Sequence, residues 1–156
     1  MTPLEPAAVA CLERTRSAVL NVLVGVGLAI ALSGFLLRQR DRWPAVRVAE
    51  PVRRGMLGAL LAIVVTSYGV RRVLGSRTAL REPASRCARF HRAHMLSALV
   101  ATVAIPLGLA YGWVSRPVLN EVAPFWVAAL ALGFLALPRA SELDDFDAPI
   151  PPANEA

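Results

Sequence analysis

Four long stretches without a charged side chain constrain this chain more than any other feature. They cover residues 17–37, 55–70, 93–115 and 122–138. A membrane-spanning helix needs about 20 predominantly apolar residues, with a range of roughly 17–25. We therefore predict an all-α integral membrane protein, a bundle of four antiparallel transmembrane helices with spans at about 17–37, 55–72, 91–115 and 118–138.

The second stretch is the ambiguous one, because it has only 16 uncharged residues between two arginine pairs. At about 1.5 Å per residue it covers about 24 Å, against a hydrocarbon core of about 30 Å. Arginine stems at both ends can extend its reach. The sequence "MLGALLAIVV" also lacks the charged face of a helix that lies on a membrane surface. We predict that it crosses; three spans with this helix on the surface is the alternative.

The basic residues are all arginine, 17 in number, and the net charge is +6. They cluster beside the apolar stretches, where they anchor helices and attract anionic lipid head groups. This predicts a bilayer with anionic lipids as the partner, and no nucleic acid. With four spans, ten arginines lie on the side of the termini and seven on the other. By this small margin the positive-inside rule favours cytoplasmic termini in a bacterial inner membrane, with insertion in both orientations as another possibility. With three spans the count becomes 14 against 3.

The ends of the chain differ from its middle. Residues 1–16 contain Glu5 and Glu13, unlike a cleaved signal, so we predict a retained first helix. Pro83 lies where a third helix can begin, since proline suits a first helical turn. Residues 141–156 are acidic and rich in proline, which predicts a disordered tail after a transmembrane domain of residues 1–140.

Small residues recur at spacings of four in every predicted span. Such residues let helix backbones approach closely within a membrane. This favours a compact bundle, and any row left over after packing within the chain would serve a membrane protein partner or a second copy. The rows are Asn21, Gly25, Ala29 and Ser33; Gly58, Ala62 and Thr66; Ala104, Gly108 and Gly112; and Ala129 and Gly133.

Cys87, His91 and His94 are the only candidate metal ligands, since their spacing places them on one helical face. Cys11 would join them on the same side of a four-span bundle. Arginines at 86, 89 and 92 crowd the same turns and would repel a dication. We therefore predict no metal and no cofactor. Because the predicted termini are cytoplasmic, Cys11 and Cys87 are expected to be free thiols rather than a disulfide.

The spans contain no central Asp, Glu, Lys or Arg, which proton- and cation-coupled transporters require. Phosphate-cradling motifs and nucleophile elbows are also absent. We therefore predict a non-enzymatic protein, an accessory or scaffolding subunit of a membrane complex. The first alternative is a small homo-oligomeric transporter or channel whose site uses hydroxyls and Asn21. The second is a metal-binding or redox membrane protein that uses the cysteine and histidines named above.

The segment from Arg89 to Arg139, about a third of the chain, reads "RFHRAHM…PLGLAYGW…VAPFWVAALALGFLALPR". It resembles a loose group of small bacterial four-span membrane proteins of uncharacterised function. The resemblance implies four spans and no particular activity. Some members carry a glutamate where this chain has Thr102, so the resemblance implies no ion-coupled role here. The matching positions are Phe90, Gly108, Phe125, Pro138 and Arg139.

Overall fold

The computed structural model describes residues 6–40, 48–75, 83–114, 119–139 and 142. Every regular element within these ranges is an α-helix, which confirms the all-α prediction. Val103 is the single residue between the third and fourth helices, which together form one continuous rod. The five helices therefore make four rods. The predicted tail lies outside the described residues except for Glu142. The helices are α1 (Pro6–Arg40), α2 (Glu50–Gly75), α3 (Pro83–Thr102), α4 (Ala104–Val114) and α5 (Leu119–Leu135).

Helix α2 is longer than the uncharged stretch inside it. It has 26 residues and includes both flanking arginine pairs, so at about 1.5 Å per residue it covers about 39 Å. Within the part of the chain that the structure describes, three segments are long and apolar enough to cross a membrane, and α2 is one of them. The fourth predicted span corresponds to a shorter apolar helix, Glu121–Leu135. The three long segments are Ala8–Gln39, Glu50–Leu74 and Cys87–Val114.

The break between α3 and α4 has a local cause. Pro106 has no amide hydrogen, so it cannot donate to the carbonyl of Thr102 in the usual helical pattern. The amide of Val103 donates to the carbonyl of Val100, only three residues earlier, at 3.1 Å. The amide of Leu107 donates to the carbonyl of Val103 at 3.3 Å. The rod continues past the break as α4.

The α3–α4 rod is the centre of the bundle. Helix α2 packs mainly on α3, while α1 and α5 pack on both parts of the rod and on each other. Helices α1 and α2 barely touch. Two apolar clusters hold these contacts. One is built on Val26, Ala104, Ile105 and Ala129; the other is built on Val19, Ala98 and Ala136.

Cross-helix contacts show which helix ends lie together. Along α1, Cys11 contacts Cys87 of α3, and Thr15, one turn later, contacts His91. Helices α1 and α3 therefore run in the same direction. Along α2, Ser67 contacts Ser97 of α3, whereas the later residue Leu74 contacts the earlier residue Arg89. Helices α2 and α3 therefore run in opposite directions. His94 meets Ala136, just past the end of α5. The starts of α1 and α3 and the ends of α2 and α5 therefore share one end of the bundle, which we call the cysteine end.

The outside of the bundle is apolar. Large hydrophobic side chains are exposed along α1, α2 and α5, including Leu28 at 68%, Leu61 at 63% and Val127 at 63%. Soluble monomers rarely expose contiguous apolar surface of this kind. The distribution is compatible with helices whose outer faces contact lipid chains.

Candidate functional site

The polar contacts between helices are concentrated at the cysteine end. Cys11 of α1 and Cys87 of α3 form a disulfide, with their Cα atoms 6.1 Å apart. The expectation of free thiols is therefore wrong for this structure. The physical reason is that α1 and α3 run side by side from this end, so their first turns bring the two side chains face to face. Cys11 is buried.

A hydrogen bond between Thr15 and His91 forms the next layer. The Thr15 hydroxyl is fully buried, donates to the carbonyl of Cys11 at 2.8 Å, and lies 3.1 Å from Nδ1 of His91. A hydroxyl has one hydrogen to donate. Since the Cys11 carbonyl takes it, Nδ1 of His91 must carry the hydrogen that it donates to the Thr15 oxygen. His91 is thus turned toward α1.

His94 lies one turn further along and points to α5 instead. Its side chain is buried, and Nδ1 donates to the carbonyl of Ala136 at 2.7 Å. Its Nε2 lies 3.2 Å from Oε2 of Glu142. The imidazole of His94 therefore contacts both the end of α5 and Glu142 in the segment that follows it.

Arg71 completes this contact from α2. Its guanidinium binds the other oxygen of Glu142 and the carbonyl of Leu135 at the end of α5. Charge-assisted hydrogen bonds of this type are the strong ones. One carboxylate therefore joins α2 and α3 to the segment that follows α5. We call His94, Arg71 and Glu142 the tail clasp.

Arg89 of α3 closes the end of α2. Its Nε donates to the carbonyl of Leu74 at 2.7 Å, and Nη2 donates to that of Val73 at 3.5 Å. The last carbonyls of a helix have no partner within the helix and carry partial negative charge. A guanidinium at this place satisfies them and leaves the arginine engaged within the protein.

The three candidate ligands do not come together. The sulfur of Cys87 is bonded to Cys11, His91 faces Thr15, and His94 faces the tail clasp. In the described ranges no group of three or more His, Cys, Asp and Glu side chains has a geometry that could hold a metal ion. Asn21, the polar residue of the transport alternative, lies exposed on the outer face of α1. Thr102 donates its hydroxyl hydrogen to its own helix, at Leu99.

Sequence reasoning missed the residues that bind the two histidines. Glu142 lies within the segment predicted to be a disordered tail, Arg71 belongs to an arginine pair beside an apolar stretch, and Thr15 had no predicted role. The one local signal was Thr15, which lies four residues after Cys11 on the same helical face. Nothing in the local pattern distinguishes Glu142 from the acidic residues that follow it.

Polar contacts between helices also occur away from the cysteine end. Ser67 of α2 donates to the carbonyl of Ser97 at 3.1 Å, and the two hydroxyl oxygens are 3.0 Å apart. At the opposite end the Tyr111 hydroxyl donates to Glu121 at 3.2 Å. Each contact joins two helices.

Comparisons of the chain with protein families, with curated proteins and with solved structures found no match. The chemistry of the site is therefore read from its own residues. The disulfide, the Thr15–His91 contact, the tail clasp and the Arg89 contact each join different helices or segments of the same chain. Such an arrangement fixes helices against one another.

Proposed function

We propose that the protein is a bundle of four antiparallel transmembrane helices in the bacterial inner membrane. We further propose that it is a non-enzymatic accessory or scaffolding subunit that packs against other membrane helices. The apolar exterior and the three long apolar segments support membrane insertion. The role in a complex is supported by the fate of the small residues, which divide into two groups.

The glycines of the first group are packed closely against other helices of the same chain. A β carbon added to Gly108 would meet Phe125 and Val122, one added to Gly112 would meet Leu37 and Val122, and one added to Gly133 would meet Leu23. These glycines are used for close contacts that hold the α3–α4 rod and α5 to their neighbours.

The residues of the second group lie on open faces of α1 and α2. A β carbon added to Gly25 of α1 or to Gly58 of α2 would meet nothing within 4 Å. Ala62, on the same row as Gly58, is also exposed. Only 6% of the apolar stretch of α2 is buried within the bundle, against 44% for the segment Cys87–Val114. This open row on α2 is the single observation that carries the proposal, because close helix packing in membranes uses such rows.

The partner is expected to be another membrane helix, from a second protein or from a second copy of this chain. Anionic lipids are expected around the exposed arginines of the helix ends. The transport alternative gains no support from Asn21, whose side chain lies outside the bundle. The metal alternative gains none from Cys87, whose sulfur is already bonded.

The test is purification in mild detergent with a matched pair of variants. We expect the wild-type chain to elute with a membrane protein at fixed stoichiometry or as a defined homo-oligomer. Ala62→Leu adds bulk to the open row of α2, so it should release the partner without lowering the melting temperature. Ala131→Leu makes the same change at an exposed position of α5 and should leave the complex intact.

A chain that elutes as a monomer in every mild detergent, and behaves identically in both variants, would contradict the scaffolding role. Solute flux in liposomes that disappears in Asn21→Leu would favour transport instead.

A further inference from the structure

The two cysteines are held opposite each other by the packing of α1 against α3. Their Cα atoms are 6.1 Å apart, within the roughly 4.4–6.8 Å that a disulfide allows. Thr15 and His91 meet one turn further along, and Val19 and Ala98 belong to one buried cluster beyond that. This succession of contacts places Cys11 opposite Cys87 through the packing of the helices themselves.

The compartment decides whether such a pair becomes a disulfide. The cytoplasm keeps thiols reduced, whereas disulfides form and persist in the bacterial periplasm and outside cells. These are the only two cysteines of the chain, so neither has another partner within the same molecule.

We infer that the cysteine end of the bundle lies on the oxidising, extracytoplasmic side of the membrane, where the disulfide fastens α1 to α3. This inference rests on the membrane-spanning bundle proposed as the function. The start of α1 and the end of α5 then face outward, and the end of α1, the start of α2 and the end of α4 face the cytoplasm.

The arginine distribution opposes this orientation by ten to seven. The margin is small, and two of the ten are engaged by the protein. Arg71 is held in the tail clasp, and Arg89 binds the end of α2. On the other side Arg54 is paired with Glu50, so the remaining count is eight against six, and the positive-inside rule gives only a weak preference for the opposite orientation.

The oxidation requires a co-reactant, which we assign to a thiol–disulfide exchange protein of the extracytoplasmic space. One cysteine thiolate attacks a sulfur of the oxidant's disulfide, and the other sulfur of that disulfide leaves as a thiolate. The second cysteine then attacks the mixed disulfide and releases the oxidant as a dithiol. Two electrons and the two thiol protons pass to the oxidant, and the Cys11–Cys87 bond remains.

The first experiment measures the redox state in living bacterial cells that produce the full chain. Cells are quenched in acid, and the denatured protein is treated with a maleimide polymer before or after reduction. We expect no adduct before reduction and two adducts after it. Two adducts without reduction would show free thiols and overturn the inference.

The second experiment measures the side of the membrane. In Cys11→Ser, Cys87 has a free thiol, and we expect a membrane-impermeant maleimide to label it in intact spheroplasts as fully as after permeabilisation. Cys87→Ser, which exposes the other thiol, repeats the test if the first variant does not accumulate. The control carries Cys11→Ser, Cys87→Ser and Glu50→Cys, and its thiol at the start of α2 should be labelled only after permeabilisation.

The opposite pattern would overturn the orientation, and equal labelling of both ends in intact spheroplasts would overturn a single orientation. Alkaline carbonate extraction of the same cells separates this failure from failure of the membrane proposal. A chain that stays in the membrane pellet with the opposite labelling loses only the orientation. A chain released into the supernatant loses both.

Discussion

Gly108 of α4 and Phe125 of α5 are in such close contact that a β carbon on Gly108 would lie 2.7 Å from the β carbon of Phe125. The β carbon of Phe125 is fixed to its backbone and cannot move aside as a flexible side-chain end could. Gly58 of α2 is the natural comparison, because the space around it is empty within 4 Å.

Gly108→Ala should therefore lower the free energy of unfolding by about 1–3 kcal/mol, the usual cost of overpacking. Gly58→Ala should leave it unchanged or slightly raised, since alanine favours a helix over glycine. The measurement is the melting temperature of both variants in one detergent. Equal behaviour of the two would mean that α4 and α5 do not pack as described.

Ser67 and Ser97 tie α2 to the central rod through a buried hydroxyl contact. Ser67→Ala removes the donor, and hydrogen bonds between membrane helices contribute about 0.6 kcal/mol on average and up to about 1.7 kcal/mol. We expect a small but measurable fall in melting temperature. Thr66→Ala, at the neighbouring exposed position, should have no such effect, and an equal loss in both would show that the Ser67–Ser97 contact is not its cause.

The tail clasp should control the mobility of the segment after α5. Glu142→Ala removes the partner shared by Arg71 and His94. Losing about 1 kcal/mol or more of such contacts should raise trypsin cleavage after the exposed Arg139 by at least about fivefold. Glu13→Ala removes an exposed acid from α1 and serves as the control. Cleavage that rises equally in both variants would show that Glu142 does not hold the segment.

The disulfide should stabilise the purified protein by about 2–4 kcal/mol, because it closes a long loop, with a sequence separation of 76 residues. The wild-type melting temperature should fall on addition of a reductant. The variant that carries both Cys11→Ser and Cys87→Ser should have a melting temperature near that of the reduced wild type. Addition of a reductant should not change it. A wild-type protein that is indifferent to reductant would mean that the bond adds no stability.

Much of the fold follows from local signals in the chain. The apolar stretches predict each rod, and Pro83 marks the start of α3 because proline fits a first helical turn. The length of α2 was harder to predict, since the helix continues through two arginine pairs that end the apolar stretch. Pro106 accounts for a missing hydrogen bond, but the position of the break at Val103 depends on hydrogen bonds that re-form around it.

The site could not be predicted from local sequence patterns for three reasons. His91 and His94 share a helical face in the sequence, yet one contacts α1 and the other contacts the end of α5, and those neighbours are set by tertiary packing. The oxidation state of Cys11 and Cys87 depends on the compartment that they face. The nearly even arginine distribution predicted the cytoplasmic side by a small margin only. Glu142 has no pattern that separates it from the acidic residues beyond it.

The central position of the α3–α4 rod has a consequence for biogenesis. Because α1 and α2 barely touch, these two helices have almost nothing to hold each other before α3 has been synthesised. Both make their main contacts with α3. The assembly of α1 and α2 therefore waits until translation has passed Pro83, and a chain interrupted before that residue would leave the two helices separate.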